Sequence, residues 1–191
     1  MSKSRLEAFS DGVIAILITI MVLELHVPEG ADLAALSKLT PIFLSYVLSF
    51  VFLGIYWNNH HHLLQLAKHV NGTVLWANLH LLFWLSLIPF ATSWMGENSF
   101  AELPIALYGF VLWMSGLAYY ILVQRLISLH GNDSLLATAL GRKIKEIMSL
   151  VCYAVAILFS FISPAVSLAI YVFVAFLWLV PDQRIEKTVN R

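Results

Sequence analysis

The sequence predicts an all-α integral membrane protein: a bundle of six transmembrane helices with N- and C-termini cytoplasmic. Three observations carry this. Hydrophobic residues make up 60% of the 191 and charged residues only 12%, about half the roughly 25% that a soluble domain carries. The mean hydropathy is +0.84, and the apolar residues come in long runs instead of amphipathic stripes. Lysine and arginine gather on alternate connections, as the positive-inside rule requires of a multi-pass protein.

A spanning helix needs about 20 mostly apolar residues, and six runs meet that length in order. The first extends over about 6–25 and stops before Val27-Pro28-Glu29-Gly30. The second begins near Leu39-Thr40-Pro41, turns polar at Asn58-Asn59-His60-His61-His62 and continues to about Lys68, giving 39–68. The third covers 72–94, with Pro89 inside it near the end, and stops at Met95-Gly96-Glu97-Asn98. The fourth runs over 104–129, before His130-Gly131-Asn132-Asp133. The fifth covers 144–162, and after the break Ser163-Pro164 the sixth covers 165–180, closed by Pro181-Asp182. Breakers fall almost wholly between the runs. With no linker, low-complexity segment or internal repeat, residues 1–191 are expected to form one domain.

Lys3 and Arg5 ahead of the apolar run Val13 to Leu23 imitate a signal peptide. Glu7, Ser10 and Asp11 interrupt the approach and no small-residue cleavage site follows, so the segment is expected to stay as a helix of the mature protein. With the N-terminus inside, Lys3, Arg5, Lys68, Arg125, Arg142, Lys143, Lys145, Arg184, Lys187 and Arg191 all become cytoplasmic. The opposite side keeps Lys38 with Glu29, Asp32, Glu97 and Glu102. Trp57, Trp94, Trp113 and Trp178 are read as interfacial anchors.

Several function classes lose support at this stage. A net charge of zero gives no reason to expect a nucleic-acid partner. The single cysteine, Cys152, sits in an apolar run and reads as a small packing side chain. Consecutive histidines diverge by about 100° on a helix, so His60, His61 and His62 cannot converge on one ion, and no HExxH-type spacing offers a metal or haem site. Ser10 and Asp11 are adjacent and cannot aim at one shared histidine as a hydrolytic triad does. No catalytic motif, metal or cofactor is therefore expected.

The polar residues inside the first helix carry more information. A carboxylate near hydrocarbon is costly, roughly 3 kcal/mol at a helix centre, and normally pairs or faces a wet space. Asp11 lies about two turns in, with a stem too short to snorkel, whereas Arg5 can snorkel to headgroups. At about 100° per residue, Gly12, Ile16, Thr19, Ile20 and Leu23 share one stripe, and Asp11 points about 140° from Ile16. Asp11 is thus expected to face neighbouring helices. Candidate partners at similar depth are His60, His61 and His62 on the second helix and Asn78 and His80 on the third, in a Ser10/Asp11–His–Asn network. From periodicity alone the stripe reads as plain lipid or packing surface, since any apolar helix has one.

The string Arg5-x-x-x-Phe9-Ser10-Asp11, continued as Gly12-Val13-Ile14-Ala15-Ile16 and closed by Val22-Leu23-Glu24-Leu25, resembles the transmembrane protein 175 family. Tyr56-Trp57-Asn58-Asn59-His60-His61 and Trp76-Ala77-Asn78-Leu79 support the likeness. These are potassium-permeable channels of lysosomes and their bacterial relatives. The resemblance implies a single-repeat bacterial form in the inner membrane, a homotetramer whose first helices surround a central pore passing potassium and other monovalent cations. It implies Ile16 as the constriction, with Ile20 and Leu23 facing the pore beside Thr19. Arg5, Phe9, Ser10, Asp11, His60, Trp76 and Asn78 would tie the first helix to its neighbours. A ring of isoleucines offers no ligands to replace a hydration shell, so weak selectivity and a hydrophobic gate are expected. Glu24 and Glu7 read either as rings that attract cations at the two mouths or as solvated helix-end charges. A secondary transporter is the competing function, followed by a membrane haem or metal protein. Transporters typically carry broken helices in two matching repeats, which these spans do not suggest.

Overall fold

The computed structural model describes residues 2–131, 134, 136–137 and 144–179. In chain order they form α1 (Lys3–Leu23), α2 (Leu33–Ser37), α3 (Thr40–Leu66), α4 (Gly72–Ser86), α5 (Ile88–Glu97), α6 (Glu102–His130), α7 (Ile144–Phe159) and α8 (Pro164–Leu179). Asn132, Asp133, Arg142, Lys143, Val180, Pro181, Asp182, Arg184, Lys187 and Arg191, used above for helix limits and orientation, lie outside the described residues.

Among the described residues, four stretches are long and apolar enough to cross a membrane: Lys3–Leu23, Thr40–Leu66, Gly72–Glu97 and Glu102–His130. Of the last two helices, expected over 144–162 and 165–180, the described residues cover Ile144–Phe159 and Pro164–Leu179. As described, each has 16 residues, or about 24 Å of rise. The Ser160–Ser163 turn ends α7, with the Ser163 N–H donating to the Phe159 carbonyl at 2.7 Å. Pro164 then starts α8, a position where its missing N–H costs nothing.

The third span also departs from a continuous helix over 72–94. It breaks at Leu87 into α4 and α5, with Pro89 in the first turn of α5. Proline removes one intrahelical hydrogen bond and crowds the preceding turn, so the kink has a local cause. The span resumes and reaches Glu97. α2 was not expected from the sequence. Asp32 caps it by accepting the Ala35 N–H at 2.7 Å, enough to wind five residues of the connection.

The chain runs up and down, so the starts of α1, α4 and α7 share one end of the bundle with the ends of α3, α6 and α8. Lys3 Nζ reaches the Gln65 carbonyl at 3.4 Å, and the Lys68 N–H donates to His130 Nε2 at 2.9 Å. Gly131, at φ 87°, ends α6 there. At the opposite end Ser93 Oγ donates to Glu24 Oε2 at 3.4 Å and to Glu97 Oε1 at 3.2 Å.

Lipid supplies little hydrophobic drive for helix association, so close approach at small residues and interhelical hydrogen bonds matter more. The interior follows that rule. Ser45, Ser49, Ser115, Ser160 and Ser167 are fully buried. Ser49 meets Thr92 at 2.6 Å and Tyr108 at 3.0 Å, joining α3, α5 and α6. Ser167 on α8 donates to the Ala156 carbonyl on α7 at 2.7 Å. Two glycines permit close approach: Gly96 lies against the Ile42 backbone and the Ser45 side chain, and Gly109 against the Tyr171 hydroxyl, which donates to the Ile105 carbonyl at 3.2 Å.

A Cβ at Gly109 would overlap that hydroxyl, whereas one at Gly54 meets nothing within 4 Å. Gly109→Ala is therefore expected to destabilise the purified protein by about 1–3 kcal/mol through overpacking. Gly54→Ala is expected to be neutral or to gain up to about 1 kcal/mol from helix propensity. Thermal unfolding of the two variants in the same detergent checks the contrast.

Candidate functional site

α1 has two faces of opposite character. Leu6, Ser10, Ile14, Leu17 and Met21 are buried against α3, α4 and α5. At about 100° per residue all five lie within about 40° of Ser10. On the far side Ile16 is 58% exposed, Ile20 39% and Leu23 78%, and Thr19 and Gly12 are exposed beside them. This is the stripe drawn from the sequence angles. Thr19 donates its hydroxyl to the Ile16 carbonyl at 2.8 Å, so that proton is engaged within the helix. Beside Ile20 lies an open groove of about 490 Å³ between α1 and α5, where Glu24, Phe90, Ser93 and Trp94 also contribute.

The buried face is anchored by polar groups. Ser10, His60 and Asn78 are all 0% exposed. Asn78 Nδ2 donates to Ser10 Oγ at 2.9 Å, and Ser10 Oγ donates to the Leu6 carbonyl at 2.9 Å. His60 Nε2 lies 2.7 Å from Asn78 Oδ1. An amide oxygen can only accept, so His60 carries its proton on Nε2. Its Nδ1 is buried with no hydrogen-bond partner among the described residues. One residue from each of α1, α3 and α4 thus meets in a single chain of bonds.

A second layer lies beside it. Asp11 Oδ1 accepts the Trp57 indole N–H at 3.1 Å, and Glu7 Oε1 is 3.3 Å from His61 Nδ1. Trp57 and His61 stack at 6.1 Å between ring centroids. Both contacts tie α1 to α3.

Placement of the remaining predicted residues is mixed. Arg5 is exposed, Phe9 is 50% exposed and Trp76 75% exposed, so all three lie on the surface of the single chain, outside the hydrogen-bonded set. His80, a candidate partner for Asp11, instead accepts the Trp84 indole N–H at 2.9 Å, and Trp84 packs edge-on to Phe110 of α6. Trp57, read above as an interfacial anchor, is the partner Asp11 takes. Trp57 is an indole donor on α3, one turn before His61, so depth alone made it one of several donors within reach of the Asp11 carboxylate. Among the described residues no group of three His, Cys, Asp or Glu side chains could hold a metal ion.

The fold and this polar layer define a class first: a polytopic α-helical membrane protein whose first helix is locked in rotation by buried hydrogen bonds. The family described as endosomal/lysosomal potassium channel TMEM175 matches residues 5–89. A protein named potassium channel from Chryseobacterium sp. (strain P1-3) is 55% identical over 190 residues, covering 100% of this chain and 99% of its own length. The human protein named endosomal/lysosomal proton channel TMEM175 is 40% identical over 96 residues, 44% of this chain and 19% of that protein. The crystal structure of a lysosomal potassium-selective channel TMEM175 homolog from Chamaesiphon minutus aligns with a TM-score of 0.79 at 25% identity, covering 94% of this chain and 97% of that one. The chain belongs to the TMEM175 family, a family of channels.

If the Ser10–Asn78–His60 bonds act as one unit, their removal is non-additive. Asn78→Ala is expected to cost about 1–3 kcal/mol, because it strands the His60 N–H and Ser10 together. Ser10→Ala alone is expected to cost about 0.6–1.7 kcal/mol, and almost nothing further in the Asn78→Ala background. A double-mutant cycle on thermal unfolding measures the coupling.

Proposed function

We propose that this chain forms a potassium-permeable, weakly selective cation channel in the inner membrane of a bacterium, with four copies surrounding a central pore lined by α1. The observation that carries the reading is the pairing of a hydrogen-bonded buried face with an exposed stripe of Ile16, Thr19, Ile20 and Leu23 on one helix. Family membership and the names of the potassium-channel relatives support the ion.

The pore belongs between copies and not inside one. Leu53, Leu64, Leu85, Ile88, Tyr108, Leu112 and Leu122 fill the centre of the single chain at 0% exposure, and closed rotational symmetry supplies an axis where four α1 stripes face each other. Ile16 is the constriction and gate in this reading. Potassium passes by shedding part of its hydration shell, so size and dehydration energy discriminate it weakly from sodium, and an apolar ring closes by dewetting. No bound cofactor takes part; the permeant ion is the only ligand of the pore.

Six crossings and cytoplasmic termini complete the topology. α7 and α8 count as the fifth and sixth crossings, because Val151, Leu158, Phe173 and Phe176 point outward at 54–70% exposure and need lipid. Lys3, Arg5, Lys68 and Arg125 at the end where α1 begins, against Glu29, Asp32, Glu97 and Glu102 at the other, support a cytoplasmic N-terminus. The break at Leu87 is the one feature that favours a transporter. It has no counterpart in the second half of the described chain, whereas transporters of that design break helices in both repeats.

The test is passive flux through purified protein in liposomes, comparing potassium, sodium and N-methylglucamine. Wild type is expected to pass potassium faster than sodium and to exclude N-methylglucamine. Ile16→Asn, which hydrates the constriction, is expected to raise flux several-fold and narrow the potassium-to-sodium difference. Unchanged flux and selectivity in Ile16→Asn would remove Ile16 from the gate, and flux appearing only with a coupled second solute would favour the transporter.

A further inference from the structure

α3 has an inner side, where Tyr56 borders a cavity of about 40 Å³ shared with Tyr119 and Tyr153, and an outer side that the described residues leave open. Phe50, Gly54, Trp57 and His61 follow one another on that outer side at spacings of four, three and four. Phe50 and Trp57 are 46% and 45% exposed. A second open stripe runs along α4 and α5 at the same spacings: Leu79, Phe83, Ser86 and Phe90. Phe83 and Phe90 are 55% and 61% exposed. Alternating threes and fours average about 3.5 residues, the period of helices that pack side by side with interlocking side chains. Most membrane bundles share that geometry.

The two stripes flank the exposed face of α1 on opposite sides. Asp11 and Glu7 turn to α3, and Asp11 lies about 140° from Ile16 around the helix. Glu24 turns to α5 through Ser93, about 80° from Ile16 in the other direction. In a ring of copies around α1, the reading on which this inference rests, the α3 side of each copy meets the α4–α5 side of the next. That is a head-to-tail contact, the kind that makes a ring when its rotation closes.

Rotation about an axis along the membrane normal leaves depth unchanged, so levels within one chain set levels between chains. His60 lies 2.7 Å from Asn78 and Ser49 2.6 Å from Thr92, which fixes the level of α3 against the antiparallel α4–α5 at two points. Counted along the helices from those points, Phe50 stands level with Phe90, Gly54 with Ser86, Trp57 with Phe83 and His61 with Leu79. Aromatic rings meet aromatic rings, and the smallest residue of one stripe meets the smallest of the other. Gly54 has no use within its own chain: glycine weakens a helix interior, and a Cβ there meets nothing within 4 Å. Ser86 donates its hydroxyl to the Phe83 carbonyl at 2.7 Å, so it asks nothing polar of a neighbour. Small residues at membrane helix contacts let two backbones come close.

We infer that these stripes are the contact between neighbouring copies: α3 of one copy packs antiparallel on α4–α5 of the next, with the closest approach at Gly54 and Ser86. The occupant is a second copy of this chain and not lipid, because acyl chains require neither a heptad-like repeat nor matched levels.

Disulfide trapping of the full-length protein in nanodiscs tests the contact, in a Cys152→Ala background. Gly54→Cys combined with Ser86→Cys is expected to give, on oxidation, a ladder that ends at four chains, since Cα atoms closer than about 7 Å can be bridged. Either cysteine alone is expected to give single chains, because a head-to-tail contact does not bring a residue onto itself. Gly54→Cys with Phe173→Cys on α8 is expected to give no ladder. Gly54→Leu, whose side chain has free space in its own chain, is expected to lower the tetramer fraction by mass at least fivefold. No ladder from the Gly54 and Ser86 pair, a dimer from either cysteine alone, or a tetramer unmoved by Gly54→Leu overturns the inference. Tetramers with potassium flux but no ladder would leave the pore reading standing on another interface. A ladder to four chains without flux would uphold the contact and remove the pore.

Discussion

The architecture depends on polar groups that cannot be left alone in an apolar surrounding. Ser10, Asn78 and His60 sit fully buried on three different helices, and each finds its partner in the others. In water such bonds exchange for bonds to solvent at little net gain. Between lipid-facing helices, breaking one leaves its members unsatisfied. The bonds therefore fix the rotation of α1 about its own axis more than they add stability. Once Ser10 points into the bundle, helix geometry turns Ile16, Thr19, Ile20 and Leu23 outward, centred about 140° away.

A rotational lock of this kind separates two tasks along one helix. The Glu7–His61 and Asp11–Trp57 contacts reinforce the lock in the first half of α1, beside Ser10. The exposed stripe lies mostly in the second half, beyond Gly12, where no interhelical hydrogen bond constrains it and Thr19 satisfies its own hydroxyl proton locally. In the channel reading, the polar half holds the helix while the apolar half meets the ion path. Selectivity then follows from aperture and dehydration, because isoleucine side chains contribute no oxygen ligands.

Much of this was legible in the sequence, for physical reasons that can be named. Long apolar runs mark spans because every backbone group must be satisfied within its own helix in lipid, and four of the expected runs appear as full-length spans. The two faces of α1 followed from residue angles alone. Ser10, His60 and Asn78 could be grouped because similar depth and costly burial leave few ways to satisfy them. Which donor Asp11 takes was not legible. His61, His80 and Trp57 all lay at usable depth, and helix rotation in three dimensions chose Trp57. The break at Leu87 was visible only as Pro89, and a proline in a spanning run does not say whether the helix bends or ends. The cavity lined by Tyr56, Tyr119 and Tyr153 was invisible, because its walls come from α3, α6 and the α7–α8 pair, three separate parts of the chain. Arg5, Phe9 and Trp76 stand exposed on the single chain, and their grouping with the motif came from the family resemblance, not from any contact periodicity could supply.

The central claim is that the exposed face of α1 meets water and not lipid, and thiol accessibility tests it most directly. In a Cys152→Ala background, Thr19→Cys, Ile20→Cys and Leu23→Cys are compared with Val151→Cys and Leu158→Cys on α7, which are similarly exposed and apolar in surroundings. The account predicts that a charged, membrane-impermeant thiol reagent modifies the α1 positions and slows potassium flux, while the α7 positions stay unmodified. Equal protection of both sets, with reaction only by a lipid-soluble maleimide, would place the stripe in lipid and contradict the pore.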